Sequence, residues 1–437
     1  MFNQRGRSGG ITSGPAKEPF VVPAAADISV DRRHLVSLLN RLRTPKGQAA
    51  PYPLYAELRS MGDVVPAPWD GFLVTGFDVS GQILRNRSWP VPDSSWRARQ
   101  EESVRWHTPA SMEMSKTLAG LNGPQHARHR RSLGRVFDRG VIDTLRPVVE
   151  QAVGELLDML GERLHEGEAD FVALVSEELP VVTVGHWLGI PAADHALVRQ
   201  FTHDQVYAQE LLPTKSQLAL SEAASAGLRD YFTAFVRDRR RNLSDDALSG
   251  WIRTWDELEP DREAADDALQ RLTMFVTIAA LETAATLLSA VVWLLDANPE
   301  QREWLRAHPE KAGDAVEEVL RYDPAIHVSS RTAPEDTELC GVRIPKDSLV
   351  HVMIGAANHD PRRHQDPETF DVRRKTGHLA FGGGPHYCLG AALARLEATT
   401  LLRGLLRRFP TLRVSSPPSF FPRVAFRRMA ELNVVTA

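Results

Sequence analysis

Two cysteines in 437 residues, Cys340 and Cys388, allow at most one disulfide. That excludes a small secreted scaffold stapled by disulfides and leaves each thiol available for other chemistry. Charge of one sign is also scarce: 52 basic against 56 acidic residues gives a net charge of −4, so no global field favours nucleic acid. The opening residues, MFNQRGRSGGITSGPAKEP, contain no apolar stretch of signal-peptide length. Residues 1–48 are expected as a flexible arm of a cytoplasmic protein. No internal Pro/Gly/Ser-rich linker divides the remainder, so residues 49–437 are expected as a single domain. Only Met274 to Leu295 is apolar for most of its length, and Glu282 near its middle would cost ~3 kcal/mol or more if left unpaired in lipid. That segment is read as a buried central helix, with no membrane anchor.

What is present is ordinary globular material, 43% hydrophobic and 25% charged, enough for a substantial core. Pro51 to Ser60 reads as a short helix entered through prolines, and Val64 to Val74 as a hairpin. Residues 88–120 carry Trp89, Trp96, Trp106, Met112 and Met114 without steady period and read as a long loop with one helical turn. From His126 to about Arg241 the spacing is helical, with Val153, Leu156, Leu157 and Leu160 on one face. Helices follow Asn298-Pro299 and His308-Pro309, strands are expected near Val342–Ile344 and Leu349–Val352, and Leu389 to Phe409 is a strong helix. The fold class is mainly α with a small β lobe.

The decisive segment is Phe381-Gly-Gly-Gly-Pro-His-Tyr-Cys388-Leu-Gly390, which delivers a cysteine to the start of a helix. There, converging N–H groups and the helix dipole favour the thiolate, the form that ligates metal. Glycines without a Cβ admit a close approach of backbone and a flat ligand. Taken alone, this describes an activated cysteine in a tight bend.

The segment resembles the haem-binding loop of the cytochrome P450 family, Phe-Gly-x-Gly-x-His-x-Cys-x-Gly, at every defined position, and the resemblance extends over roughly residues 50 to 437. It implies a triangular, mainly helical prism holding haem b on the thiolate of Cys388, with Phe381, Gly382, Gly390 and Ala279 against the cofactor. Ala279-Ala-Leu-Glu282-Thr283 is similar to the family's oxygen-activating motif, which makes Glu282 and Thr283 the catalytic candidates. An acid beside a hydroxyl, near an opened helix turn that holds water, suits proton delivery. The chain departs from the motif at Ala280, where glycine is usual, and at Ala284. His126 and Arg130 match the family's propionate-binding helix, and Arg331 and His378 match two further propionate contacts. Glu318-x-x-Arg321 with Arg374 matches a structural triad. Substrate contacts are expected from Trp106, Met112, Val206, Ala279, His327, Val328 and Met429.

The same resemblance implies a monooxygenase that uses dioxygen and draws electrons from NAD(P)H through a ferredoxin or flavodoxin and its reductase. Arg128, Arg131, Arg135, Arg395, Arg403 and Arg407 would steer that partner. The expected setting is specialised-metabolite biosynthesis by a monomer, with no nucleic acid or membrane partner. Oxidative coupling or ring closure, a peroxygenase, and a non-catalytic haem-binding subunit are the alternatives. A cysteine hydrolase finds no base-and-orienter pair for Cys388.

Overall fold

The computed structural model describes residues 31–100, 103–134 and 136–436. Its centre is the helix Arg262–Ala297, 36 residues long, started by Asp261, whose side chain accepts from the N–H groups of Glu263 and Ala264. Helices Glu178–Leu188, His195–Gln205, Lys215–Arg241 and Ala391–Arg408 pack around it. Leu269, Leu272, Met274, Leu288 and Val291 are at most 1% exposed. Among the described residues this is the one helix long and apolar enough to cross a membrane, and most of its apolar stretch is buried inside the protein. Apolar residues all round a helix signify enclosure, and here other helices provide it.

The β lobe is a four-stranded sheet in the order Val64–Pro66, Phe72–Val74, Leu349–Met353, Val328–Thr332. The first pair is the expected hairpin, with Val64 opposite Val74. Phe72–Val74 then runs parallel to Leu349–Met353, which pairs antiparallel with Val328–Thr332. Val342–Ile344 forms a separate two-stranded ribbon with Thr337–Leu339.

Two expectations need correction. Residues 1–30 lie outside the described residues, but the arm expected to reach residue 48 is already folded at Arg32. Helix Arg32–Leu42 is capped by Asp31 and buries Leu35, Leu38, Leu39 and Leu42 against Leu54, Tyr55 and Leu58. Their i, i+3, i+4, i+7 spacing is an amphipathic stripe, and burial of each leucine contributes roughly 1.5–3 kcal/mol. The expected loop at 88–120 holds three short helices instead: Ser94–Ala98, Val104–His107 and Pro109–Ser115. Asp93 and Thr108 cap the first and third, accepting from Trp96 N–H at 2.9 Å and Ser111 N–H at 3.2 Å. Caps rather than apolar period define helices this short.

Candidate active site

Cys388 reaches the interior through a loop closed on itself: its N–H donates to Phe381 O at 3.0 Å, and Gly382 N–H donates to Leu379 O at 2.8 Å. Gly384 sits at φ +61°, and a Cβ there would stand 2.8 Å from the carbonyl oxygen of Arg85. Both the left-handed backbone and the neighbouring helix Phe77–Arg85 therefore demand glycine at that position. Gly390 caps the helix Ala391–Arg408. Burial pushes the Cys388 thiol up, while the N–H groups of Gly390 and Ala391 and the charges of Arg130 and Arg395 pull it down. Although deep in the protein, the side chain presents exposed surface, and that surface is part of the wall of an internal cavity of about 400 Å³.

Basic side chains gather around this cavity. Arg130 and His386 line it, as does Arg331. Arg331 is 4% exposed and, among the described residues, its side chain donates only to Ser329 Oγ at 3.2 Å and Ser330 O at 2.8 Å. Burial lowers its guanidinium to about 10. Arg130 donates to Tyr387 O at 2.8 Å. The rings of His126 and His386 are 4.2 Å apart, and buried His126 Nε2 has no hydrogen-bond partner among the described residues. Burial and then Arg130 lower His126 to about 4, while burial and then Arg331 lower His386 to about 3. Among the described residues, no carboxylate pairs with Arg130 or Arg331. A buried guanidinium such as that of Arg331 is stabilised by an anion beside it.

On the opposite wall the central helix contributes Ala279, Ala280, Glu282, Thr283 and Ala284. Thr283 Oγ1 donates to Ala279 O at 2.7 Å. The helix runs unbroken through this motif, whereas an opened turn was expected; Ala280 in place of glycine removes the residue that would weaken it. Glu282 is buried and pairs with Arg423, whose side chain is fully buried, and Arg428 Nε stands 3.9 Å away. Burial alone would raise this carboxyl, yet Arg428, Arg423 and His203 hold it below the usual carboxylate range.

Behind the cysteine loop, Glu318 takes two bonds of 2.8 Å from Arg321 and one of 3.2 Å from Arg374 Nε. Asp371 N–H adds a third donor group at 3.0 Å. Arg321 also donates to the carbonyls of Asn358, Pro367 and Thr369, so the triad ties the helix Ala312–Tyr322 to the segment before Cys388.

The remaining candidates divide. Trp106, Val206, Ala279 and Val328 line the cavity, as do Phe381, Gly382 and Gly390. Met112, His327, Met429 and His378 do not. His327 Nδ1 is 2.8 Å from the Tyr55 hydroxyl, and its Nε2 faces Asp323 at 3.6 Å, away from the cavity. Met429 lies in a strand paired with Phe420 and is buried in the main core. Met112 sits half-buried on its short helix, outside the cavity wall. His378 Nε2 pairs with Glu317 at 3.2 Å, and Glu317 also holds Arg395. The histidine at the cavity is instead His386, inside the loop motif itself. Arg423 was also missed; it lies 141 residues from Glu282, and no local pattern signals it. Arg97, Arg105 and Glu397 are among the lining residues that the sequence reading did not single out.

Residues 313–431 match the family model described as Cytochrome P450. The cytochrome P450 monooxygenase PikC of Streptomyces venezuelae is 31% identical over 88% of this chain and 91% of its own length. The 6-deoxyerythronolide B hydroxylase of Saccharopolyspora erythraea is 32% identical over 83% of this chain and 89% of its own. The chain belongs to the cytochrome P450 family. Its fold agrees: the crystal structure of P450BioI in complex with an acyl carrier protein ligated to hexadec-9Z-enoic acid superposes with a TM-score of 0.82 at 26% identity, covering 90% of this chain and 99% of that one. This cytochrome P450 is a monooxygenase, of a family whose haem iron takes a cysteine thiolate as its axial ligand. The residues present suit that group. A thiol opens onto the cavity, and orphaned His126 Nε2 with uncompensated Arg331 and Arg130 suits two propionates.

Proposed function

We propose that this cytochrome P450 inserts one oxygen atom from dioxygen into a small organic substrate, by hydroxylation or epoxidation, in the biosynthesis of a specialised metabolite. One observation carries the reading: the Cys388 sulfur, the Glu282–Thr283 pair and basic groups without carboxylate partners share one cavity. Cys388 would hold the iron of haem b, with His126, Arg130, Arg331 and His386 at the propionates and Phe381, Gly382, Gly390 and Ala279 against the macrocycle. When bound, the haem supplies reductive activation of dioxygen, which thiolate electron density assists.

The chain's own part is placement and proton supply. Glu282 is ionised at neutral pH because Arg428 and Arg423 stabilise its charge, so it orders water and returns protons toward Thr283. The Thr283 hydroxyl donates to Ala279 O, which leaves its oxygen to accept from a water and hold that water at the reacting centre. Trp106, Val206, Ala279 and Val328 exclude water from the bound substrate.

Electrons reach the protein from NAD(P)H through a ferredoxin or flavodoxin with its reductase. On the thiolate side, Arg131, Arg403 and Arg407 are exposed and available to steer an acidic partner. Arg395 is engaged by Glu317 and Arg128 by Glu259, so they offer less; Arg135 lies outside the described residues. The protein acts as a cytoplasmic monomer. Likeness to the 6-deoxyerythronolide B hydroxylase supports the metabolic setting.

The test is spectroscopic first: the reduced carbon-monoxide adduct shows the red-displaced absorption of thiolate ligation, and Cys388→Ser abolishes it. Turnover under labelled dioxygen then places one labelled atom in the product. An unlabelled product would point to coupling or ring closure. Turnover with peroxide alone, unchanged by Thr283→Ala, would point to a peroxygenase.

A further inference from the structure

We propose that Arg97 and Arg105, both against the Trp106 ring in the cavity wall, form a binding site for a carboxylate carried by the substrate. This deepens the monooxygenase reading and rests on it. Both guanidiniums line the same cavity as Cys388. Arg97 is 8% exposed, donates through Nε to Pro92 O at 2.9 Å and through Nη1 to Ser111 Oγ at 2.7 Å, and makes no bond through Nη2 among the described residues. Arg105 donates through Nη1 to Leu211 O at 2.9 Å, and its buried Nε has no partner among the described residues. Their Cζ atoms stand 5.3 and 4.4 Å from the centroid of the Trp106 ring, which restrains both forks.

Neither guanidinium forms an ion pair among the described residues. The two carboxylates whose charge reaches them are committed elsewhere. Asp93 caps the helix Ser94–Ala98 and takes bonds from Ser95 Oγ at 2.7 Å and Asn122 Nδ2 at 3.1 Å. Glu210 accepts from the amides of Leu211 at 2.7 Å and of Val424 and Ala425 at 2.8 Å. Burial lowers Arg97 and Arg105 to about 10 each, so both remain charged at neutral pH. A buried and a partly buried cation beside an apolar ring are stabilised by an acid that enters with an apolar body, and planar forks favour a carboxylate.

A haem propionate is the other source of a carboxylate. The arrangement favours the substrate. Arg130, Arg331, His126 and His386 already act on one another, and Arg130 acts on Cys388. Arg97 and Arg105 act on each other; Arg105 is anchored to Leu211, whose side chain packs in the core beside the β lobe, and Arg97 to Pro92 and Ser111.

The experiment uses the purified holoenzyme and two readouts, the high-spin spectral shift and isothermal titration calorimetry. The probes are straight-chain carboxylic acids of ten to fourteen carbons, each against its own primary amide. We expect acids to bind about tenfold or more tighter than their amides, the scale of one charge-assisted hydrogen bond. Arg97→Gln and Arg105→Gln should each erase most of that preference at unchanged haem content, and Arg105→Lys should keep part of it. A series in which no acid outbinds its amide, whether both bind or neither does, overturns the proposal. So does loss of haem from the glutamine variants with the preference of the residual holoenzyme intact, which would assign the pair to a propionate. A variant that fails to fold leaves the wild-type comparison to decide. The carbon-monoxide spectrum of the same sample separately tests the haem-thiolate reading.

Discussion

Arg423→Gln isolates the buried pair in the middle of the central helix. Arg423 is fully buried; it pairs with Glu282, and its Nη2 donates to His203 O at 2.9 Å. Removing one partner of a buried pair costs about 3–5 kcal/mol, because the other is left uncompensated. Arg428 remains 3.9 Å from Glu282, so the loss should fall near the lower end, about 3 kcal/mol at pH 8. The pH dependence gives the sharper test. In the wild type the carboxyl is held below its usual range, so its stabilising share is complete above the unfolded value of about 4.3 and lost as pH falls through the folded one. In the variant burial dominates and raises the carboxyl, so stability declines as pH rises from about 4.3 toward the raised value. The gap between the two proteins should therefore widen from pH 5 to pH 8. Urea unfolding at several pH values, with the m-value unchanged, measures it. A loss under about 1 kcal/mol at pH 8, or the same loss at both ends of the range, would refute the reasoning.

Glu318→Gln should destabilise by about 3 kcal/mol or more by leaving Arg321 without its carboxylate, read by thermal unfolding, with Glu318→Ala worse because it also strips Asp371 N–H of its acceptor. Glu397, buried with Oε1 unpartnered, is pushed up to about 8 by burial, so the wild type loses stability as pH climbs from about 4.3 to 8. Glu397→Gln should flatten that decline by up to about 1.4 kcal/mol per pH unit, and a parallel pH profile in denaturant would contradict it. Arg331→Ala should release haem faster in a transfer assay to apomyoglobin, while the fold, judged by circular dichroism, persists.

The cysteine loop was legible because its chemistry is local: fixed glycine spacing around Cys388 meets a left-handed turn and a crowded neighbour in the same few residues. The Glu318, Arg321 and Arg374 contacts were legible through the family pattern, since nothing local says that the pair is buried. Helix Arg32–Leu42 carried its stripe openly, but the glycine-rich residues before it drew the reading toward an arm. Four contacts failed for one reason, that side-chain direction is decided by distant partners. Tyr55 and Asp323 turn His327 from the cavity, Glu317 holds His378, a strand buries Met429, and a short helix keeps Met112 off the cavity wall. Arg423, Arg97 and Arg105 went unseen because an arginine in a turn or short helix looks solvated until the tertiary fold encloses it.

The last stretch of the chain does more than finish a strand. Arg423 meets Glu282, Val424 and Ala425 satisfy Glu210, Arg427 meets Asp323, and Arg428 meets Glu177. A preparation clipped by proteolysis just after Leu412 would take partners from four acids at once, three of them buried: Glu282, Glu210 and Asp323. An intact C-terminus, read by mass spectrometry, is therefore a precondition for interpreting any weak or absent turnover.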